Sequence, residues 1–194
     1  SNVFTAAEIA AADLALDQVD GTDLDIVTAG PGLGYTARAA LTDDRVWSVE
    51  VVEALPAVVD WHRRGLVPGG TELVGDPRCQ LIEGDFFAHV ADGTPFRPDS
   101  PDRYDVVLLD VDHTPSHVLH PSHSAFYGSD GLRRVGERIR PGGVFALWSD
   151  QPDDTFLATA RAVFASCDAH EVRFPNHHTG GEATNTIYLA RTAS

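Results

Sequence analysis

Asp25-Ile26-Val27-Thr28-Ala29-Gly30-Pro31-Gly32-Leu33-Gly34-Tyr35-Thr36-Ala37-Arg38 is the stretch whose reading decides the fold. It reads as a short buried strand, a glycine-rich turn and the first turn of a helix. Glycine has no Cβ, so a ligand can approach such a turn closely. A second strand-like run, Val46-Trp47-Ser48-Val49, ends at Glu50, twenty residues after Gly30. Glycine turn and delayed acid together predict a nucleoside bound at the carboxyl end of a parallel sheet, with Gly30, Gly32 and Gly34 against the ligand. The acid would accept from a ribose diol. The turn is Gly-x-Gly-x-Gly, not the Gly-x-Gly-x-x-Gly of dinucleotide sites, and glycine turns also close ordinary strand–helix corners.

The pattern continues on both sides. Thr5-Ala6-Ala7-Glu8 fits a capping box opening a helix to about Gln18. A helix from Tyr35 to Leu41 follows the turn, and Pro56 opens another that runs to Arg64. Val67-Pro68-Gly69-Gly70 reads as loop. A third strand, Cys79-Gln80-Leu81-Ile82, ends at Glu83-Gly84-Asp85. Residues 91–102, rich in Pro, Asp and Gly, read as a surface connection. Tyr104-Asp105-Val106-Val107-Leu108-Leu109 is an apolar run suited to a strand buried on both faces, and it delivers Asp110 to the same edge. A helix from about Ser129 to Arg140, a strand Val144–Trp148, a helix Asp153–Phe164 and two late strands near Glu171–Phe174 and Thr186–Ala190 complete the chain. Alternating helices and strands predict a single α/β domain: a Rossmann-like doubly wound sheet of about seven strands, mostly parallel, antiparallel at the carboxyl end.

Composition narrows the partners. The 194 residues carry a formal net charge of −15, which argues against a nucleic-acid backbone and suits a small cationic substrate. No apolar run approaches the length of a membrane span. The two cysteines, Cys79 and Cys167, have no metal spacing and read as free thiols in a cytoplasmic protein. No charged-then-apolar leader is seen.

Three successive strands thus end in an acid at one edge: Glu50, Asp85 and Asp110. Glu50 would take the ribose, Asp85 the exocyclic amine of adenine, and Asp110 would face the reacting end. Beyond Asp110, His113, His117, His120 and His123 crowd one loop. Such a cluster can hold a metal or supply a base, but Pro115 and Pro121 interrupt any helical pairing, and no metal site is assigned. His113, close to Asp110, is the candidate for altered chemistry, and His177-His178 could approach from the other side.

From about Val3 onward the chain resembles the spermidine synthase family, aminopropyltransferases on the class I methyltransferase fold. The residues carrying the resemblance are Gly30-Pro31-Gly32-Leu33-Gly34, Val49-Glu50-x-x-x-Ala54-x-Pro56, Asp76-Pro77-Arg78, Ile82-Glu83-Gly84-Asp85, Tyr104-Asp105-Val106-Val107 with Asp110, Phe126-Tyr127, and Arg140-Pro141-Gly142-Gly143-Val144. The resemblance implies S-adenosylmethionine or its decarboxylated form as co-substrate, a small acceptor such as a cationic amine, and a homodimer. It implies that Asp110 is the catalytic aspartate, with Asp112 and His113 beside it. The family's amino-terminal β-hairpin domain has no counterpart here, through truncation or absence. Other positions depart from the family. Its aspartate before the last glycine of the turn, which grips the aminopropyl ammonium, is Leu33. Its Tyr-His-Glu is Ala6-Ala7-Glu8, its second loop aspartate is His113, and a substrate tyrosine is His177. An S-adenosylmethionine-dependent methyltransferase needs no aspartate at Leu33, and a non-catalytic binding module needs none of these residues. Both remain alternatives; the form of the turn disfavours a nicotinamide-dependent oxidoreductase.

Overall fold

The computed structural model describes residues 5–176 and 180–194, so Val3, His177 and His178 lie outside the described residues. In chain order the elements are α1 (Ala6–Leu16), β1 (Leu24–Ala29), α2 (Tyr35–Leu41), β2 (Val46–Glu53), α3 (Pro56–Arg63), α4 (Gly70–Gly75), β3 (Cys79–Glu83), α5 (Phe86–Asp92), β4 (Tyr104–Leu109), a 3-10 turn (Pro121–Tyr127), α6 (Ser129–Glu137), β5 (Ile139–Ser149), α7 (Asp154–Val163), β6 (Ser166–Asn176) and β7 (Gly181–Arg191).

The strands form one sheet in the order β3-β2-β1-β4-β5-β7-β6. The first five are parallel, and β7 and β6 close the sheet antiparallel. Side chains alternate across it with period two. Ile26, Val49, Val51, Val106, Leu108, Val144 and Ala146 pack on one side, with α1 and α2. Val27, Val52, Val107, Leu109, Phe145 and Leu147 pack on the other, with α5, α6 and α7. The α1 and α2 faces are largely alanine (Ala7, Ala11, Ala12 and Ala15 against Ala37, Ala39 and Ala40), which lets both helices sit close to the sheet. This is the doubly wound architecture that the alternating pattern predicts, with strand order reversing beside β1, where such sheets bind ligands.

Local expectations fail at several points. Thr5 has helical backbone (φ −84°, ψ −9°) and its side chain caps nothing, so the capping box does not form; an N-cap needs extended backbone to aim its oxygen at the first N–H groups. The loop at 67–69 forms as read, but Gly70, its last predicted residue, already starts α4. Strand β2 continues three residues past Glu50 to Glu53, because Val51 and Val52 keep alternating between the two cores. Helix α6 ends at Glu137, and 140–143 form a bulge inside β5, where the register jumps from Tyr104↔Ile139 to Val106↔Val144. Gly142 adopts φ +77° there. From this bulge Arg140 reaches Asp25 at 2.6 Å and also pairs with Asp105, tying β5 to β1 and β4. Both cysteines are free and buried, and burial pushes the Cys79 thiol up to about 12 and Cys167 up to about 11. Among the described residues, no helix is long and apolar enough to cross a membrane.

Candidate functional site

At the carboxyl edge of β1 to β4 lies a cavity of about 490 Å³. The ends of the strands supply its floor: Ala29 and Gly30 after β1, Val52 and Glu53 from β2, Gly84 and Asp85 after β3, Asp110 after β4. Phe86 and Phe87 at the start of α5, with Leu119, His120 and His123 from the loop after β4, complete it. Its size suits a nucleoside with a short tail.

The glycine turn is held by its neighbours. Gly30 has φ +77°, and an added Cβ would lie 2.6 Å from the Asp110 carbonyl oxygen; only glycine lets β1 and β4 end this close together. An added Cβ on Gly32 (φ +49°) would meet nothing within 4 Å, so the turn presents bare backbone at the cavity. That open stretch of main chain is what a nucleoside cradle requires. Beneath it, His62 of α3, wholly buried, has Nε2 3.1 Å from the Gly32 carbonyl oxygen. Its Nδ1 has no partner, so the proton is assigned to Nε2, which donates to that carbonyl. Gly34, predicted to touch the ligand, does not line the cavity. It packs against Gly69 and Leu73 and starts α2. Leu33 is also outside the lining, with its carbonyl accepting from Gly69 N–H at 3.0 Å.

The largest correction concerns Glu50. It is 1% exposed and lies two residues below Val52 on the α5–α7 face. There it accepts from Tyr104 O–H at 2.5 Å, from Arg97 Nε at 2.7 Å and from Ser100 O–H at 2.8 Å. It fastens the 93–103 connection to the sheet, and that connection also buries Phe96; the segment is therefore not simply a surface loop. The acid at the mouth of the cavity is Glu53. It accepts from Leu55 N–H at 2.6 Å, and burial raises its carboxyl above the ordinary value despite that bond and nearby His62. Glu53 lies three residues beyond Glu50, where the strand was expected to end. Val51-Val52 before it and Pro56 at the next helix start were the available signals.

Asp85 does line the cavity and also caps α5, accepting from Ala88 N–H at 3.1 Å. Asp110 lines it too, and burial, helped by Glu8 of α1, pushes its carboxyl up to about 7. Burial likewise raises Glu8. The sequence reading gave Glu8 a capping role; the fold brings its charge to bear on Asp110.

Asp112 and His113 do not join Asp110 in the cavity. Asp112 is 3% exposed and accepts from Leu119 N–H at 2.6 Å, Tyr127 O–H at 2.7 Å and His123 Nδ1 at 2.9 Å. It anchors the loop from below. His113 lies beside His117, with ring centroids 5.2 Å apart, and lines a separate recess with Asp150 and Gln151. Three donors draw Asp112 under the loop, and Asp150 N–H donates to the His113 carbonyl at 2.8 Å, holding that residue on the far side. The histidines that do reach the cavity are His120 and His123, and no local sequence feature separates them from His113 and His117. Among the described residues, no group of three metal-ligating side chains comes together.

The fold and the position of the cavity define a class I methyltransferase-like α/β domain. The chain covers 99% of itself and 60% of a spermidine synthase solved with the transition-state analogue AdoDATO (TM-score 0.73, 17% identity). It covers 97% of itself and 78% of human methyltransferase-like protein 13 solved with SAH (TM-score 0.64, 22% identity). No protein-family model matches the chain. In sequence it is similar, at low identity, to polyamine aminopropyltransferases. It is 28% identical to polyamine aminopropyltransferase 2 of Pseudomonas aeruginosa over 78% of this chain and 43% of that one. It is 31% identical to the polyamine aminopropyltransferase of Prochlorococcus marinus over 66% of this chain and 41% of that one. The chain thus spans about half the length of the curated relatives it matches.

Proposed function

We propose that this chain is a spermidine-synthase-like transferase. It would bind S-adenosylmethionine or the decarboxylated form and transfer an alkyl group of the aminopropyl type to a small amine or another nucleophile. The observation that carries this reading is a single cavity gathering the open Gly32 backbone, Glu53, Asp85 and Asp110. A ribose diol donates to Glu53, a base lies toward Asp85, and the reacting end lies between Gly30 and Asp110.

A sulfonium co-substrate supplies an activated carbon. The nucleophile forms a bond to that carbon, the carbon–sulfur bond breaks, and its electron pair leaves on sulfur. An attacking protonated amine must lose a proton to become nucleophilic. Asp110, poised near 7 by burial, is matched to accept it at neutral pH. Glu8 adds negative potential on the same side, which favours a cationic acceptor. The rest of catalysis is positioning.

Leu33 favours a second reading. An ammonium tail with no opposing carboxylate is disfavoured, whereas a methyl donor needs no aspartate there. Methyl transfer therefore stays as the enzymatic alternative, and a small-molecule substrate is common to both. Calorimetry with S-adenosylmethionine, its decarboxylated form and methylthioadenosine tests the shared premise. Micromolar binding of at least one is expected, and no heat with any of them overturns both readings.

A further inference from the structure

His123 has no part in the chemistry above, yet it is the most firmly oriented polar side chain that the loop presents to the cavity. Its ring stacks on Phe87, with centroids 3.9 Å apart and planes 17° from parallel. Its Nδ1 lies 2.9 Å and 3.0 Å from the two Asp112 oxygens. Asp112 also receives Leu119 N–H and Tyr127 O–H. Burial, with Asp112 beside it, pushes the Tyr127 hydroxyl upward, so it remains a protonated donor. A carboxylate already receiving two other donors can only accept from the imidazole. In the neutral ring the proton therefore sits on Nδ1, and Nε2 is left with a free lone pair.

The place of this acceptor follows from the sheet. From β4 through β1 and β2 to β3, the cavity lining runs Asp110, Gly30, Glu53, Asp85. Phe87 is two residues beyond Asp85. The ring stacked on it therefore reaches the β3 end, while Asp112 ties it to the loop after β4. Resting on the nucleoside reading, this is where the base lies. We propose that His123, oriented by Asp112 and Tyr127, is a second specificity-determining acceptor beside Asp85, taking the other hydrogen of the exocyclic amino group of a bound purine, so that it adds to the preference for 6-amino over 6-oxo purine nucleosides. A 6-oxo purine presents a lone pair to another lone pair at that point, and a site built to hydrogen-bond a donor rejects the analogue lacking it.

The test compares methylthioadenosine with methylthioinosine by calorimetry. The unmodified chain is expected to prefer the amino form by about tenfold or more. His123→Phe keeps a ring against Phe87 but removes the acceptor, and should narrow that ratio severalfold. Asp112→Asn offers Nδ1 a donor, moves the proton to Nε2 and should shift the ratio further toward the oxo form. A purely structural tether would leave the ratio unmoved in any variant that still binds. Nitrogen NMR of the unmodified chain should show the His123 proton on Nδ1, a readout that needs no ligand and does not depend on variant folding. A proton on Nε2 overturns the assignment. So does an unchanged ratio in both variants while both nucleosides still bind. If neither nucleoside binds the unmodified chain, the nucleoside reading itself falls and takes this assignment with it.

Discussion

Replacing Glu53 and Glu50 separately by Gln divides ligand recognition from scaffold. Glu53→Gln keeps the bond from Leu55 N–H, since the amide oxygen can still accept. It also removes a charge that burial disfavours. Stability should stay level or rise slightly. Charge-assisted bonds to a ribose diol contribute about 1.5–3 kcal/mol, so nucleoside affinity should fall about 10- to 100-fold. Glu50→Gln acts on the other quantity. The Arg97 side chain is 38% exposed, so its ion pair is worth only about 1 kcal/mol after solvent screening. Tyr104 and Ser100 lose a charged acceptor in a dry setting, about 1.5–3 kcal/mol more. A total near 3 kcal/mol lowers Tm by about 6–12 °C in a chain of this size. Affinity measured well below that Tm should not change. Thermal melts and calorimetry on the same two preparations read both effects. Unchanged nucleoside affinity in Glu53→Gln, or lost affinity with normal melting in Glu50→Gln, would refute this division.

Asp110 should impose a pH signature. Its folded carboxyl stands at about 7 against an ordinary 3.8. The folded state therefore holds a proton that the unfolded state has released across that window, and stability falls as pH rises from about 4 to 7. Asp110→Asn should stabilise the chain above pH 7, by at most about 4 kcal/mol, with the gain vanishing below about pH 4. A pH series of melts on both proteins checks this. Turnover should rise through about pH 7 and be lost in Asp110→Asn while nucleoside binding persists; a variant with normal turnover removes Asp110 as the base. His62→Leu removes both the donor to Gly32 and an unpartnered buried nitrogen. Melting should change little while nucleoside affinity drops about 3- to 10-fold through a loosened turn, and equal affinity means the turn needs no such prop. Leu33→Asp should raise affinity for decarboxylated S-adenosylmethionine relative to methylthioadenosine. An unchanged ratio shows that Leu33 does not face the tail.

How much was legible depends on the range of the interaction. Runs such as Val106 to Leu109 bury side chains on both faces whatever their neighbours are, so local composition suffices to assign the strand. The turn at Gly30 to Gly34 follows from backbone demands that residues within a few positions express. Chain order then places Asp85 and Asp110 at one edge, since parallel strands all end there. The sequence by itself therefore determined the doubly wound sheet, the edge that carries the cavity and the place of these two acids in its lining.

Other decisions needed distant partners. Glu50 and Glu53 differ in where β2 stops, and that is settled by pairing with β1 as far as Ala29↔Val52 and with β3 as far as Glu53↔Glu83. Glu50 is turned into scaffold by Tyr104, 54 positions away. The four loop histidines are alike in sequence. Contact with Phe87 and Asp112 brings His123 to the cavity, while His113 faces Asp150. Gly34 and Gly32 are equal members of one motif until Gly69 fills the Cβ side of the first and leaves that of the second open. Backbone preference and alternation act over a few residues, so the sequence carries them openly. Which polar group lines the cavity and which is sealed beneath it is settled only when elements far apart in the chain meet.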